Sequence, residues 1–302
     1  MVLSSNLFKE PLTRSGVPKQ PTILPTMQKN KHPFQRCSIR SRFSFLVILL
    51  TLVHLPKTLY AAEAVYDDSA WGSVLESYVD DQGYVDFLSL NKDQEMLNRY
   101  LTIIRSSGPK STPDQFPTRQ HELAYYINAY NALVFNGVLA MGPDIESVWS
   151  GLISGLNFFV RMDIELDGQV TNLRNLENKV IRDIYKDPRI HAALNCASIS
   201  CPRLPREPYT SEKLDQQLES SMREFAGNIN NVRVDTLNST VYLSEIFDWF
   251  DEDFLEYEKL QNNSEPSLLG YINRYRAIDK KIDTSFKMKF IDYNKGLNII
   301  AN

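Results

Sequence analysis

The chain has 302 residues, of which 43% are hydrophobic and 23% charged, enough apolar material for one large domain or two modest ones. Residues 1–62 hold nine Lys or Arg against the single acid Glu10, so they contribute +8 to a formal net charge of −4 and leave −12 on the remainder. A body this acidic excludes nucleic acid as a partner, because such binding relies on clustered lysine and arginine.

The basic N-terminal stretch runs into an apolar segment, residues 45–55, followed by small residues at Ala61, Ala62 and Ala64. That order describes an export signal, and the segment is short of the roughly 20 residues that span a membrane. The expectation is a cleaved signal and an exported protein, periplasmic or secreted. The alternative is membrane anchoring by residues 45–55. The basic region is unusually long, and a start at Met27 would give a signal of ordinary size. No cysteine closely follows the apolar segment, which argues against a lipid anchor.

Beyond it, residues 64–100 read as two helical pieces. Trp71, Val74, Leu75 and Tyr78 recur at helical spacing, residues 80–83 break the pattern at Gly83, and Val85, Phe87 and Leu88 resume it. A polar helix follows to Ile104, then a loop over 106–114. Thr118 is placed to cap a helix over about 121–139. Leu123, Tyr126, Ile127, Tyr130, Val134 and Val138 share one face of it and the small Ala129 and Ala132 the other, so it is expected to be buried nearly all round. Asn128 and Asn131 sit on the shoulder of the main stripe. Buried amides are costly unless hydrogen-bonded, so these two either hold a neighbouring loop's backbone or line a site.

Residues 157–173 alternate polar and apolar around Asp167-Gly168 and predict a β-hairpin. A short helix over 175–185 ends before Pro188, and the apolar run 190–196 reads as a strand entering the core. A helix over 211–226 precedes a second hairpin, Val232 to Val234 against Val241 to Leu243. Ser244 caps an acidic, aromatic helix to Phe254, another helix covers 267–277, and a strand over 286–293 closes the chain. Helices and hairpins mix without a βαβ rhythm. The expected fold is α+β, a mainly helical single domain over 63–302 with a small antiparallel sheet built from hairpins around a buried helix.

Residues 187–204 gather most of the chemistry. Cys196 and Cys201 enclose four residues; in an oxidising compartment such a pair forms a disulfide, worth about 2 kcal/mol for so small a loop. A thiol–disulfide exchange site is a sharper alternative that lacks the tighter Cys-x-x-Cys spacing, and zinc would find only His191 and the two cysteines. On a strand, His191 and Asn195 face one way and Cys196 the other, so a Cys–His nucleophilic pair requires the strand to break before Cys196. Glu177 is the expected carboxylate partner of His191 and would orient its ring. Arg189 and Arg203 bracket the strand and either bind an anionic group or pair with nearby acids.

The motifs Tyr126-Ile-Asn-Ala-Tyr-Asn-Ala132, Asn172-Leu-Arg-Asn-Leu-Glu177, Asp187-Pro-Arg-Ile-His-Ala-Ala-Leu-Asn-Cys196 with Cys201-Pro-Arg-Leu204, and Tyr293-Asn-Lys-Gly-Leu-Asn298 resemble the domain-of-unknown-function family numbered 547. The resemblance spans about 123–298 and implies no established activity. The family tends to place histidine after its glutamate, where this chain has Asn178, and to close with Tyr-Asp-Trp, where it has Tyr293-Asn294-Lys295. A polar helix followed by a histidine strand is loosely similar to the papain and transglutaminase arrangement, by fold analogy alone.

These readings converge on a cleft between the Asn128/Asn131 helix and His191. In it His191, Glu177 and Asn128 are the candidate catalytic groups, Asn131, Asn195, Arg189 and Arg203 bind a small-molecule or peptide ligand, and Cys196–Cys201 staples the loop behind. No metal or cofactor is implied. Amide or ester hydrolysis or transfer with His191 as base is the leading chemistry. A non-catalytic binding module and a thiol redox partner are the alternatives.

Overall fold

A computed structural model describes residues 65–150, 155–261 and 264–300. The N-terminal segment, with its apolar run 45–55 and the start at Met27, lies outside the described residues. Among the described residues no helix is long and apolar enough to cross a membrane.

Helix α1 (Ser69–Tyr78) is followed by a turn in which Gly83 takes φ +84°, and then by α2 (Phe87–Lys92), whose first turn is capped by Asp86. An added Cβ at Gly83 would stand 2.7 Å from the backbone nitrogen of Leu204, so glycine answers both the conformation and the close approach. Helix α3 (Glu95–Ser106) leads through a loop to α4 (Arg119–Met141), which Thr118 caps by accepting from His121 N. The expected burial of this helix is what the structure has: Leu123 to Phe135 are buried without a break. Ala129 and Ala132 are both fully buried, and such small side chains let neighbouring elements approach closely.

The first hairpin is shorter than the alternation suggested. Strands β1 (Ile164–Leu166) and β2 (Gln169–Thr171) pair antiparallel across Asp167 and Gly168, both at positive φ, the twist that two-residue hairpins favour. Asn157–Arg161 is instead a π-helical turn. Phe158 and Phe159 are both buried with ring centroids 4.9 Å apart, and on a strand successive side chains would leave on opposite faces.

Helix α5 (Leu173–Asn175) continues into a π-helical stretch, Leu176–Tyr185, that ends at Lys186 in a left-handed conformation. Next come α6 (Leu214–Gly227), then β3 (Val232–Asp235) and β4 (Thr240–Ser244) as the second hairpin. Ser244 caps α7 (Glu245–Trp249), which breaks at Phe250 before α8 (Asp251–Leu260). Helix α9 (Leu268–Arg274) leads to β5 (Lys287–Ile291), which pairs with β4 in parallel, Val241 opposite Met288. The sheet β3-β4-β5 is therefore mixed rather than antiparallel, and α7 to α9 form the crossover that a parallel pair needs. Among the described residues about half of the fold is helical, with two small sheets and no closed barrel. The fold is α+β, and nothing in it establishes the papain-like arrangement.

The expected strand over 190–196 does not form. Asp187 accepts from Arg189 N, Pro188 presets the first turn, and Pro188–Ala192 coils as a 3-10 helix. The backbone beyond it finds its partners on α4. Asn131 Nδ2 donates to the Ala193 carbonyl at 3.0 Å, and Asn195 N donates to Asn131 Oδ1 at 2.9 Å. Asn128 treats Tyr209 in the same way, at 2.8 and 2.9 Å. A buried segment needs partners for its N–H and C=O groups, and here carboxamide side chains replace a neighbouring strand.

Replacing Asn131 by Leu keeps most of the volume and orphans two buried backbone groups. We expect a loss of about 3 kcal/mol in unfolding free energy, read as a lowered denaturant midpoint at unchanged m-value.

Candidate functional site

Asn195 is the next link. Its Oδ1 accepts from Ala197 N at 2.8 Å and its Nδ2 donates to the Pro202 carbonyl at 2.8 Å, so one side chain ties both ends of the loop that carries the cysteines. Ala197 is held at φ +62°, a conformation that costs a non-glycine residue about 1 kcal/mol. The result is that Cys196 and Cys201 face each other. They are free thiols with their sulfurs 2.8 Å apart, and Cys201 Sγ also accepts from Cys196 N at 3.1 Å. The C-terminal segment packs on the loop through Ile199 N to the Gly296 carbonyl at 2.8 Å. That contact brings the Tyr293 hydroxyl to 3.0 Å from Cys201 Sγ and 3.3 Å from Cys196 Sγ.

These thiols line a cavity of about 30 Å3 together with Tyr130, Glu177, His191 and Tyr293, under the rings of Trp249 and Phe250. It has room for one water or one small functional group. Cys201 also lines a groove of about 440 Å3 with Gln82, Asn195, Ser198, Arg203 and Asn228, the size of a small-molecule or short-peptide site. Cys201 thus lines both the cavity and the groove.

His191 is buried, its ring stacked on Phe250 at 4.0 Å between centroids and its Nε2 2.7 Å from Asp253 Oδ2. Arg182 grips the same carboxylate with both arms, Nε to Oδ2 at 2.8 Å and Nη2 to Oδ1 at 3.1 Å. Burial works against the charge on Asp253, but His191 and Arg182 outweigh it and hold the carboxyl well below its usual range. Burial lowers the pKa of His191, with Asp253 opposing. At neutral pH the ring is therefore neutral. An ionised carboxylate only accepts, so Nε2 carries the proton and Nδ1 keeps its lone pair.

Glu177 behaves oppositely. Buried and bonded by the Tyr130 hydroxyl at 2.9 Å, it is pushed up to about 7 by desolvation, with Tyr130 and Arg182 pulling the other way. Burial also opposes ionisation of Cys201, yet hydrogen bonds from Cys196, Tyr293 and the backbone prevail and lower its pKa. Its hydrogen bond to Cys201, together with burial, raises the thiol of Cys196. Cys201 is the more acidic of the two.

Of the residues nominated from sequence, the structure brings His191, Glu177, Cys196 and Cys201 around one cavity, with Asn195 and Arg203 along the groove. The strand alternation that separated His191 from Cys196 does not apply, because the segment is no strand. The carboxylate on His191 is Asp253, not Glu177. Asn128, expected to face a ligand, uses both ends of its amide on Tyr209. Arg189 pairs with Asp187 and Asp215, each at 2.8 Å, away from the cavity. Arg203 pairs with Glu224 at 2.5 Å. The two cysteines expected to form the staple stand face to face and unbonded in the structure. Sequence reasoning missed Asp253, Tyr130 and Tyr293. Asp253 had a signal: in a run of acids it alone stands three residues after Phe250 and directly before Phe254, on the face those rings share.

Residues 113–226 match the model of a family described as protein of unknown function, DUF547, the family the motifs resemble. The matched segment contains Tyr130, Glu177, His191 and both cysteines and ends before Asp253 and Tyr293. No curated protein and no solved structure matches the chain. Among the described residues no group of three or more histidine, cysteine or carboxylate side chains is arranged to hold a metal ion.

The raised Glu177 carboxyl has a thermodynamic consequence. Its folded pKa of about 7 exceeds the ordinary 4.5, so the folded state binds more protons between these values and stability falls as pH rises through that window. The penalty is on the order of 3 kcal/mol above pH 7. Glu177→Gln keeps an acceptor for Tyr130 and removes the charge. Its Tm should equal that of the wild type near pH 4.5 and exceed it near pH 8, measured by calorimetry across pH; equal melting curves at both ends would sink the assignment.

Proposed function

We propose that this protein is a cysteine-dependent acyl hydrolase or transferase, with Cys201 as nucleophile, His191 as base and Asp253 as the group that orients His191. The observation that carries this reading is that Cys201 and the Asp253-bound His191 line one cavity, while Cys201 also lines a groove large enough for a substrate.

In this mechanism the substrate lies in the groove and presents a carbonyl to Cys201. The sulfur attacks the carbonyl carbon, and the thiol proton reaches His191 Nδ1 across the shared cavity, which has room for one bridging water. The imidazolium that forms is stabilised by Asp253, which Arg182 holds ionised. Collapse expels an alcohol or amine that takes the proton back, leaving a thioester on Cys201. Water or a second acceptor, deprotonated by the same nitrogen, then releases the acyl group. The buried Tyr130 and the half-buried Tyr293 are phenols held far above their ordinary pKa by desolvation, so both remain protonated. Tyr293, hydrogen-bonded to the Cys201 sulfur, follows the negative charge in this reading as it moves to oxygen.

The substrate class this supports is a neutral amide or ester, small or peptide-like. The groove offers mainly amide and hydroxyl side chains; its one arginine is paired with Glu224, and Asp292 adds a carboxylate that disfavours an anionic substrate. An exported location fits the basic segment and apolar run at the N-terminus, with residues 45–55 as an anchor if they are retained.

The test is turnover of p-nitrophenyl acetate by the full chain, with the acetyl adduct mapped by mass spectrometry. Acetylation is expected on Cys201, and Cys201→Ser should lose turnover. His191→Asn should slow it about 100-fold, the usual scale for a general base, and Asp253→Asn should slow it less. Wild-type turnover in Cys201→Ser would overturn the reading.

A further inference from the structure

We propose that Cys196 and Cys201 form a reversible disulfide, made and broken by a small-molecule disulfide that reaches Cys201 through the groove, and that this bond switches the site off. The inference rests on the reading of Cys201 as the nucleophile, because a sulfur held in a disulfide attacks no carbonyl.

The geometry is prepared for the bond. The sulfurs already stand 2.8 Å apart as thiols, and the loop that presents them is clamped at both ends by the Asn195 amide. The two cysteines differ in which opening they line. Cys201 lines both the groove and the cavity, whereas Cys196 lines the cavity and not the groove. An attacking and a resolving cysteine need that division of positions.

The chemistry closes with oxidised glutathione as the reagent. The Cys201 thiolate attacks one glutathione sulfur, forming a mixed disulfide and expelling one glutathione thiolate. Cys196 then attacks Cys201 Sγ and expels the second. Two protein thiols are oxidised to one disulfide, the reagent is reduced to two glutathione thiols, and the two thiol protons end on glutathione.

Two features keep the bond reversible rather than a permanent staple. The loop between the cysteines holds only four residues, so the bond gains little from chain entropy. The reduced state also has contacts of its own, since Cys201 Sγ accepts from Cys196 N and shares hydrogen bonds with the Cys196 thiol and the Tyr293 hydroxyl. Stabilising the thiolate of a dithiol makes its disulfide easier to reduce.

The experiment poises the full chain in glutathione buffers from fully reduced to fully oxidised, followed by maleimide labelling and peptide mapping of Cys196 and Cys201. Both sites should lose labelling together as the buffer is oxidised, without a lasting glutathione adduct, and regain it on reversal. Cys196→Ser, or Cys196→Ala if the serine variant misfolds, should instead keep one glutathione on Cys201. Full labelling of the wild type in oxidised glutathione, or a bond that survives excess reduced glutathione, would overturn the switch. The acyl reading is separable by its own assay. Ester turnover continuing in the disulfide state would overturn that reading and leave the exchange chemistry standing. Labelling that never changes, with turnover lost in Cys201→Ser, would do the reverse.

Discussion

Everything described at the site depends on how a buried stretch of backbone is satisfied. Residues 190–195 run through the interior with no strand of the two sheets beside them, so their N–H and C=O groups need partners from the protein. Helix α4 supplies the partners from its side chains. Asn131 closes on Ala193 and Asn195 as a strand neighbour would, and Asn128 repeats the pattern on Tyr209. A carboxamide has one donor and one acceptor in nearly the geometry of a peptide group, which is why asparagine and not a hydroxyl or a charge stands here. The consequence runs outward: Asn131 holds Asn195, and Asn195 holds the loop between the cysteines.

That backbone arrangement places two carboxyl groups near one histidine and drives them in opposite directions. Asp253 is gripped by Arg182 and bonded to His191, so it stays charged in a site that would otherwise neutralise it. Glu177 accepts from a neutral phenol and is pushed toward neutrality by burial. Environments that separate the pKa values of neighbouring acids are how one site holds a fixed charge and a proton carrier together. The stacking of His191 on Phe250 fixes the ring plane, and the Arg182 guanidinium lies 4.7 Å from the centroid of the same ring.

What was legible in the sequence was local. The cap at Thr118, the buried helix it begins, the turn at Asp167 and Gly168 and the cap at Ser244 all depend on residues within a few positions of one another. The misread segment was the one whose conformation is decided at a distance. An apolar run such as 190–196 suits a strand or a coil equally well until its backbone partners are known, and those partners lie on Asn131, some sixty residues earlier. The acid on His191 lies as far away on the other side, in a helix whose acids look solvated when counted rather than placed. The parallel register of β4 with β5 was hidden for the same reason, since three helices separate the strands.

The thiol pair shows how one set of contacts can serve two chemistries. A nucleophilic sulfur needs donors that favour its thiolate, and burial works against it. Cys201 has a backbone N–H, a second thiol and a phenol within hydrogen-bond reach of its sulfur, beside a cavity of about 30 Å3. The choice of a thiol as one of those donors is what couples the chemistries. A backbone N–H or a hydroxyl in the place of Cys196 Sγ would activate Cys201 equally well and could never bond to it. With sulfur in that position, the group that makes Cys201 reactive toward a carbonyl is also the group that consumes it when a disulfide arrives. Activation and inactivation then respond to one variable, the redox poise of the medium around the groove.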